Sequence, residues 1–130
     1  MFNNDKKTYC YYASKSVSLS SSTSFTTVWD KNITMENGIY VCFYSASFPA
    51  NSTGYRILRF HDDKSSQDLS IINPPSTTMA NIKNSRRIDI TDNTYHLLFK
   101  VIQNSGKALT TSCSAFFVRI SESYTTTTIS

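Results

Sequence analysis

Between residues 95 and 120 the chain reads YHLLFKVIQNSGKALTTSCSAFFVRI. Its first half alternates residue by residue: Leu97, Phe99, Val101 and Gln103 point one way, and His96, Leu98, Lys100 and Ile102 the other. A period of two is the period of a strand. Gln103-Asn104-Ser105-Gly106 tolerates the positive φ of a tight reversal, and the return run ends in Ala115, Phe116, Phe117, Val118 and Ile120. A long hairpin is expected here. Both faces of its first strand are largely apolar, so the strand needs cover on both sides, one from a partner sheet and one from a neighbouring subunit.

The rest of the chain follows the same alternation. Val17 and Leu19 mark a short strand, and residues 25–33 a second one carrying Trp29, the single tryptophan. The run GIYVCFYSASF at 38–48 is again apolar on both faces, and Pro49 ends it. Asn51-Ser52-Thr53-Gly54 reverses the chain into YRILRFH at 55–61, with Tyr55, Ile57 and Arg59 on one face and Arg56, Leu58 and Phe60 on the other. This predicts a second hairpin. Residues 62–67 form a polar loop, Leu69, Ile71 and Ile72 a short strand closed by Pro74-Pro75, and residues 79–90 a broken strand with a charged middle. About eight short strands at this spacing, with no helical period over ten residues, predict an all-β fold: a jelly-roll sandwich, with a closed up-and-down barrel as the alternative.

Composition agrees. There are 8 Tyr and 8 Phe, many Ser and Thr, and only 17% charged residues, a mixture that favours sheet over helix. At 130 residues the chain holds one core and no second module. Lys plus Arg exceed Asp plus Glu by 13 to 9, but the excess is spread out apart from residues 83–87, so no nucleic-acid partner is expected. Cys10, Cys42 and Cys113 are odd in number and far apart, which fits neither a disulfide framework nor a zinc site. The sequons at Asn32 and Asn51 are of the kind that arise by chance in an Asn- and Thr-rich chain. No apolar run has the length of a signal peptide core or a membrane span, so a protein made in the cytoplasm, without membrane insertion, is expected.

Catalytic chemistry finds little support. His61 stands beside Asp62 and Asp63, but adjacent residues at a strand end point in different directions, so a metal site or general base is not expected there. His96 reads as a packed or interfacial imidazole. No nucleophile elbow, phosphate loop or zinc-protease motif occurs, and three glycines leave little for a phosphate cradle. The expectation is a protein that is not an enzyme and carries no cofactor and no metal.

Four stretches taken together, GIYVCFYSASF at 38–48, NSTGYRILRF at 51–60, VIQNSGKAL at 101–109 and AFFVRI at 115–120, resemble the trimeric jelly-roll heads of the complement globular head and tumour necrosis factor type. They resemble more closely the related domains of phage tail, baseplate and capsid-fibre proteins. The resemblance spans residues 15–121. It implies a head domain there, preceded by an N-terminal arm or linker at 1–14 and followed by a Thr-rich tail at 122–130. It also implies a homotrimer packed through aromatic sheet faces, with Tyr40, Tyr44, Phe99 and Phe117 at the interface. The function so implied is a structural virion protein whose head attaches to a host-surface glycan. A capsid-attached decoration protein with an assembly role is the alternative, and a secreted complement-head-like ligand a third. The sequence departs from the family in the basic residues 83–87 and in Tyr9, Tyr11 and Tyr12, which serve equally well as a docking arm for other virion proteins or as a plain first strand. Receptor contacts are expected from loops gathered at one end, 51–54, 62–67 and 104–107, through Tyr55, Asp62, Asp63 and Lys64.

Overall fold

A computed structural model describes residues 9–50, 53–73, 79–122 and 129. The first eight residues of the expected arm, the Asn51 sequon, the Pro74-Pro75 strand end and most of the Thr-rich tail lie outside them. The described residues form eight strands: β1 Cys10–Leu19, β2 Thr26–Thr34, β3 Gly38–Phe48, β4 Arg56–Asp62, β5 Gln67–Asn73, β6 Ala80–Ile90, β7 Thr94–Gln103 and β8 Leu109–Ser121. They build two four-stranded antiparallel sheets, β1-β8-β3-β6 and β2-β7-β4-β5. This is the jelly-roll arrangement that the strand count predicts.

Alternation sets the layers. On β3, Tyr40, Cys42, Tyr44, Ala46 and Phe48 point inward, and on β7 Tyr95, Leu97, Phe99 and Val101 meet them from the other sheet. The core centres on aromatic rings: Tyr44 stacks on Phe60 at 4.3 Å with planes 7° apart, and Tyr95 meets Phe117 edge-on at 5.2 Å. Among the described residues the Thr111 hydroxyl is buried without a hydrogen-bond partner.

Two expected hairpins are not hairpins. β7 and β8 lie in different sheets, as do β3 and β4, so the segments 104–108 and 49–55 cross the sandwich. The crossings are held by side chains. Gln103 donates from Nε2 to the carbonyls of Leu19 and Lys107, and Asn104 accepts the Tyr55 N–H at 2.7 Å. Gly54, at φ 75°, lies so close to Asn104 that a β-carbon would collide with it. Only β4 and β5 form a true hairpin among these segments, through a turn with Ser66 at φ 55°.

The domain boundary at residue 14 also moves. Cys10 to Ser14 pair with Val118 to Ser114 as the first half of β1, so Tyr11 and Tyr12 belong to a plain first strand. The segment 79–90, expected to be broken, holds the continuous strand β6, Ala80–Ile90.

Candidate interaction surface

The four residues expected to meet a receptor do not come together. Tyr55 precedes β4 and Asp62 ends it, so the strand length of about 23 Å separates them. The turns 53–54 and 104–107 therefore sit at one end of the sandwich and 62–67 at the other. Asp62 is 3% exposed and fully engaged: it accepts from the Lys64 N–H at 3.1 Å, from Ser65 Oγ at 2.7 Å and from Arg86 Nε. Burial alone would raise its pKa. The hydroxyl and guanidinium hydrogen bonds, the Arg86 charge and the backbone donor outweigh that and hold it below the ordinary carboxylate value. Because Arg86 lies on β6, this carboxylate ties the two sheets together and offers nothing to a receptor. Asp63 accepts the His96 N–H at 3.1 Å, and Lys64 pairs with Asp92 at 2.8 Å.

The four residues expected at a threefold interface are corrected as well. Tyr40, Tyr44, Phe99 and Phe117 are at most 1% exposed and form the centre of the core, with no surface left for another subunit. The reading that β3 carries apolar residues on both faces is right. The error lies in which face looks outward.

That outward face is the most distinctive surface among the described residues. Tyr12, Phe116 and Phe43 stand in register across β1, β8 and β3, with Tyr12 meeting Phe116 edge-on at 5.9 Å. They are 68%, 36% and 50% exposed. On one side the next row is Cys10, Val118 and Val41. On the other side lie two rows of serine: Ser14, Ser114 and Ser45, then Ser16, Ser112 and Ser47. Ser45 and Ser114 share a hydrogen bond of 2.7 Å, and Ser47 donates to Asn81 at 3.0 Å. A shallow depression of about 390 Å³ lies between Phe43, Phe116, Ser114 and Lys83. None of the outward residues of β1, β8 or β3 is charged; the face meets charge only on the edge strand β6, at Lys83, Arg87 and Asp89. Aromatic enrichment with charge depletion is the composition of an interface centre, and contiguous exposed apolar surface of this kind marks an interaction site.

His61 and His96 do approach each other on the opposite sheet, with ring centroids 6.4 Å apart, but each is engaged by its own carboxylate: His61 by Asp68 at 2.8 Å and His96 by Asp30 at 2.5 Å. Among the described residues no group of three or more His, Cys, Asp or Glu side chains is placed to hold a metal ion.

No protein family matches the sequence, and no curated protein matches it. Similar in fold is the solved structure described as "Bacillus endospore appendages form a novel family of disulfide-linked pili". It superposes with a TM-score of 0.52 at 10% sequence identity, covering 93% of this chain and 97% of that one. Identity at this level shows the fold alone. The resemblance read from the sequence is therefore supported at the level of the β-sandwich, and the similarity does not extend to its complement, tumour necrosis factor or phage-head type.

Proposed function

We propose that this chain is a structural subunit, without catalytic activity, that associates with further copies of itself to build a fibre or surface appendage. The observation that carries this reading is the uncharged outer face of β1, β8 and β3, with its exposed row of Tyr12, Phe116 and Phe43. The whole-length similarity to a pilus subunit supports it. A virion attachment head has only the sandwich fold in its favour, which both readings share.

Magnitude decides the form of the association. Three strands over about ten residues cover roughly 450 Å², against about 800 Å² per partner in a standard stable interface. Each face contact is therefore weak, and the assembly depends on repetition. Disulfides do not supply the missing strength. Cys42 and Cys113 are buried, and burial pushes the Cys113 thiol up to about 12, leaving Cys10 as the exposed thiol. One accessible thiol joins two chains and cannot link a continuous polymer.

Light scattering of the full chain across a concentration series, with and without reductant, tests this. The mass is expected to rise above 14.7 kDa with concentration in both conditions, and a non-reducing gel to show nothing larger than a covalent dimer. A constant mass of one chain up to millimolar concentration contradicts the reading.

A further inference from the structure

The sandwich is open along one long side. The edge strands there are β1 and β2, each hydrogen-bonded to a single neighbouring strand, β8 and β7 respectively. Between Cys10 to Ala13 on one rim and Lys31 to Thr34 on the other lies a cleft of about 520 Å³. Tyr11, Trp29, Leu97 and Phe117 form its apolar walls and floor. Further along, the opening is bridged by Lys15, whose Nζ donates to the Val28 carbonyl at 3.5 Å. Each rim presents the free backbone edge of a strand, and the cleft has one charged side chain, Lys31, which lies on the inward-facing side of β2 in register with Leu97. Among the described residues no carboxylate pairs with it.

An apolar floor between two free strand edges suits an extended peptide, which satisfies the edges with its main chain and fills the floor with alternate side chains. A lone inward lysine on an edge strand ordinarily discourages such pairing. It becomes a selector when the incoming strand carries an acid at the matching position. The open stretch of four residues, about 13 Å, admits two inward side chains. This chain contains a segment of that pattern: Glu122 and Tyr124 are two apart, followed by a Thr run of high strand propensity. Glu122 is exposed, 68% by its side chain, and lies 3.6 Å from Arg119. Residues 123–128 lie outside the described residues, and their pattern is read from the sequence.

We propose that the cleft between β1 and β2 receives residues 121–124 of a second copy, with Glu122 against Lys31 and Tyr124 on the apolar floor. The inference rests on the self-assembly reading and names one of its contacts. Because donor segment and cleft are different surfaces, the contact is head-to-tail, the kind that builds open filaments when the rotation between copies does not close a ring.

Two charge reversals test it. Lys31→Glu and Glu122→Lys each place like charges in the contact, and each alone is expected to weaken self-association about tenfold or more. An equal mixture of the two recovers wild-type association, because every cleft then meets a tail of opposite sign. A tail folded into its own cleft gains nothing from mixing. In parallel, a synthetic peptide of residues 119–128 is titrated into the wild-type chain while the emission of Trp29, its single tryptophan, is followed. A saturable change is expected, and none from the same peptide carrying Glu122→Lys. Single variants that associate like the wild type, or a mixture that fails to recover, overturn the inference while leaving self-assembly standing. If the wild type never associates, the assembly reading fails by itself, and the peptide titration decides the cleft: an unchanged Trp29 emission overturns it.

Discussion

The two sheets share one core and differ on their outer faces. On β2-β7-β4-β5 the outward side chains close on one another: His96 with Asp30, His61 with Asp68, and Arg59 with Ser70 at 2.9 Å while lying 4.2 Å over the Phe25 ring. One aliphatic row, Ile102, Ile57 and Ile72, interrupts this pattern. On β1-β8-β3 there is no charge to close, and the face is built mainly of aromatic rings, valines and serines. A sheet that satisfies its own polar groups has little to gain from a partner. One that leaves three rings at least a third exposed gains whenever a second surface removes them from water, at roughly 25 cal/mol per Å² of apolar area. The difference teaches that partner-seeking is written on the outward half of the alternation and is invisible to the core.

The largest expected effect contrasts the two sides of the same layer. Phe60→Ala removes half of the Tyr44 stack from a fully buried site and is expected to lower unfolding stability by about 3–5 kcal/mol. Phe43→Ala, on the outward side of β3, is expected to change monomer stability by about 0.5 kcal/mol or less. Urea denaturation at low protein concentration measures both, and similar losses would break the comparison.

Next comes Asp62, which with Arg56 is one of the two charged residues that β4 carries into the interior. Asp62→Asn leaves Arg86 without its carboxylate and is expected to lose about 2–3 kcal/mol at neutral pH. The pH dependence has a fixed sign. The folded-state pKa of Asp62 lies below its unfolded value, so its contribution is complete above the unfolded carboxylate value, about 3.9. It fades as pH falls through the folded value. The difference between wild type and Asp62→Asn in melting temperature is expected to shrink in acid; a difference that grows there would contradict the assignment. Smallest is Thr111→Val, which replaces a buried unpartnered hydroxyl by a methyl. It is expected to be neutral or to stabilise by up to about 1 kcal/mol.

The alternation along 38–48 and 95–103 is local, and it revealed the strands, their inward sets and the all-β class. The pairing was not legible. The reversals 49–55 and 104–108 read as hairpin turns because Gly and Asn supply the same φ freedom to a tight turn and to a crossing between sheets, and only contacts such as Gln103 with Leu19 distinguish them. Asp62 looked like loop surface for a similar reason: its partner Arg86 is 24 residues away. For β3 the sequence did signal apolar residues on both faces. Which face met the partner sheet depended on where Phe60 and Phe99 lay, and that is long-range information. The signal for the exposed row was therefore present in Phe43 and Phe116, but it was attached to Tyr40 and Tyr44.

The outer face of β1, β8 and β3 as the assembly contact is tested most directly by sedimentation velocity of a double variant. Phe43→Lys with Phe116→Lys sets charge in the middle of that face without touching the core. The predicted result is a species that sediments as a monomer at concentrations where the wild type associates, with an unchanged melting curve. Wild-type-like association of the double variant would contradict the account.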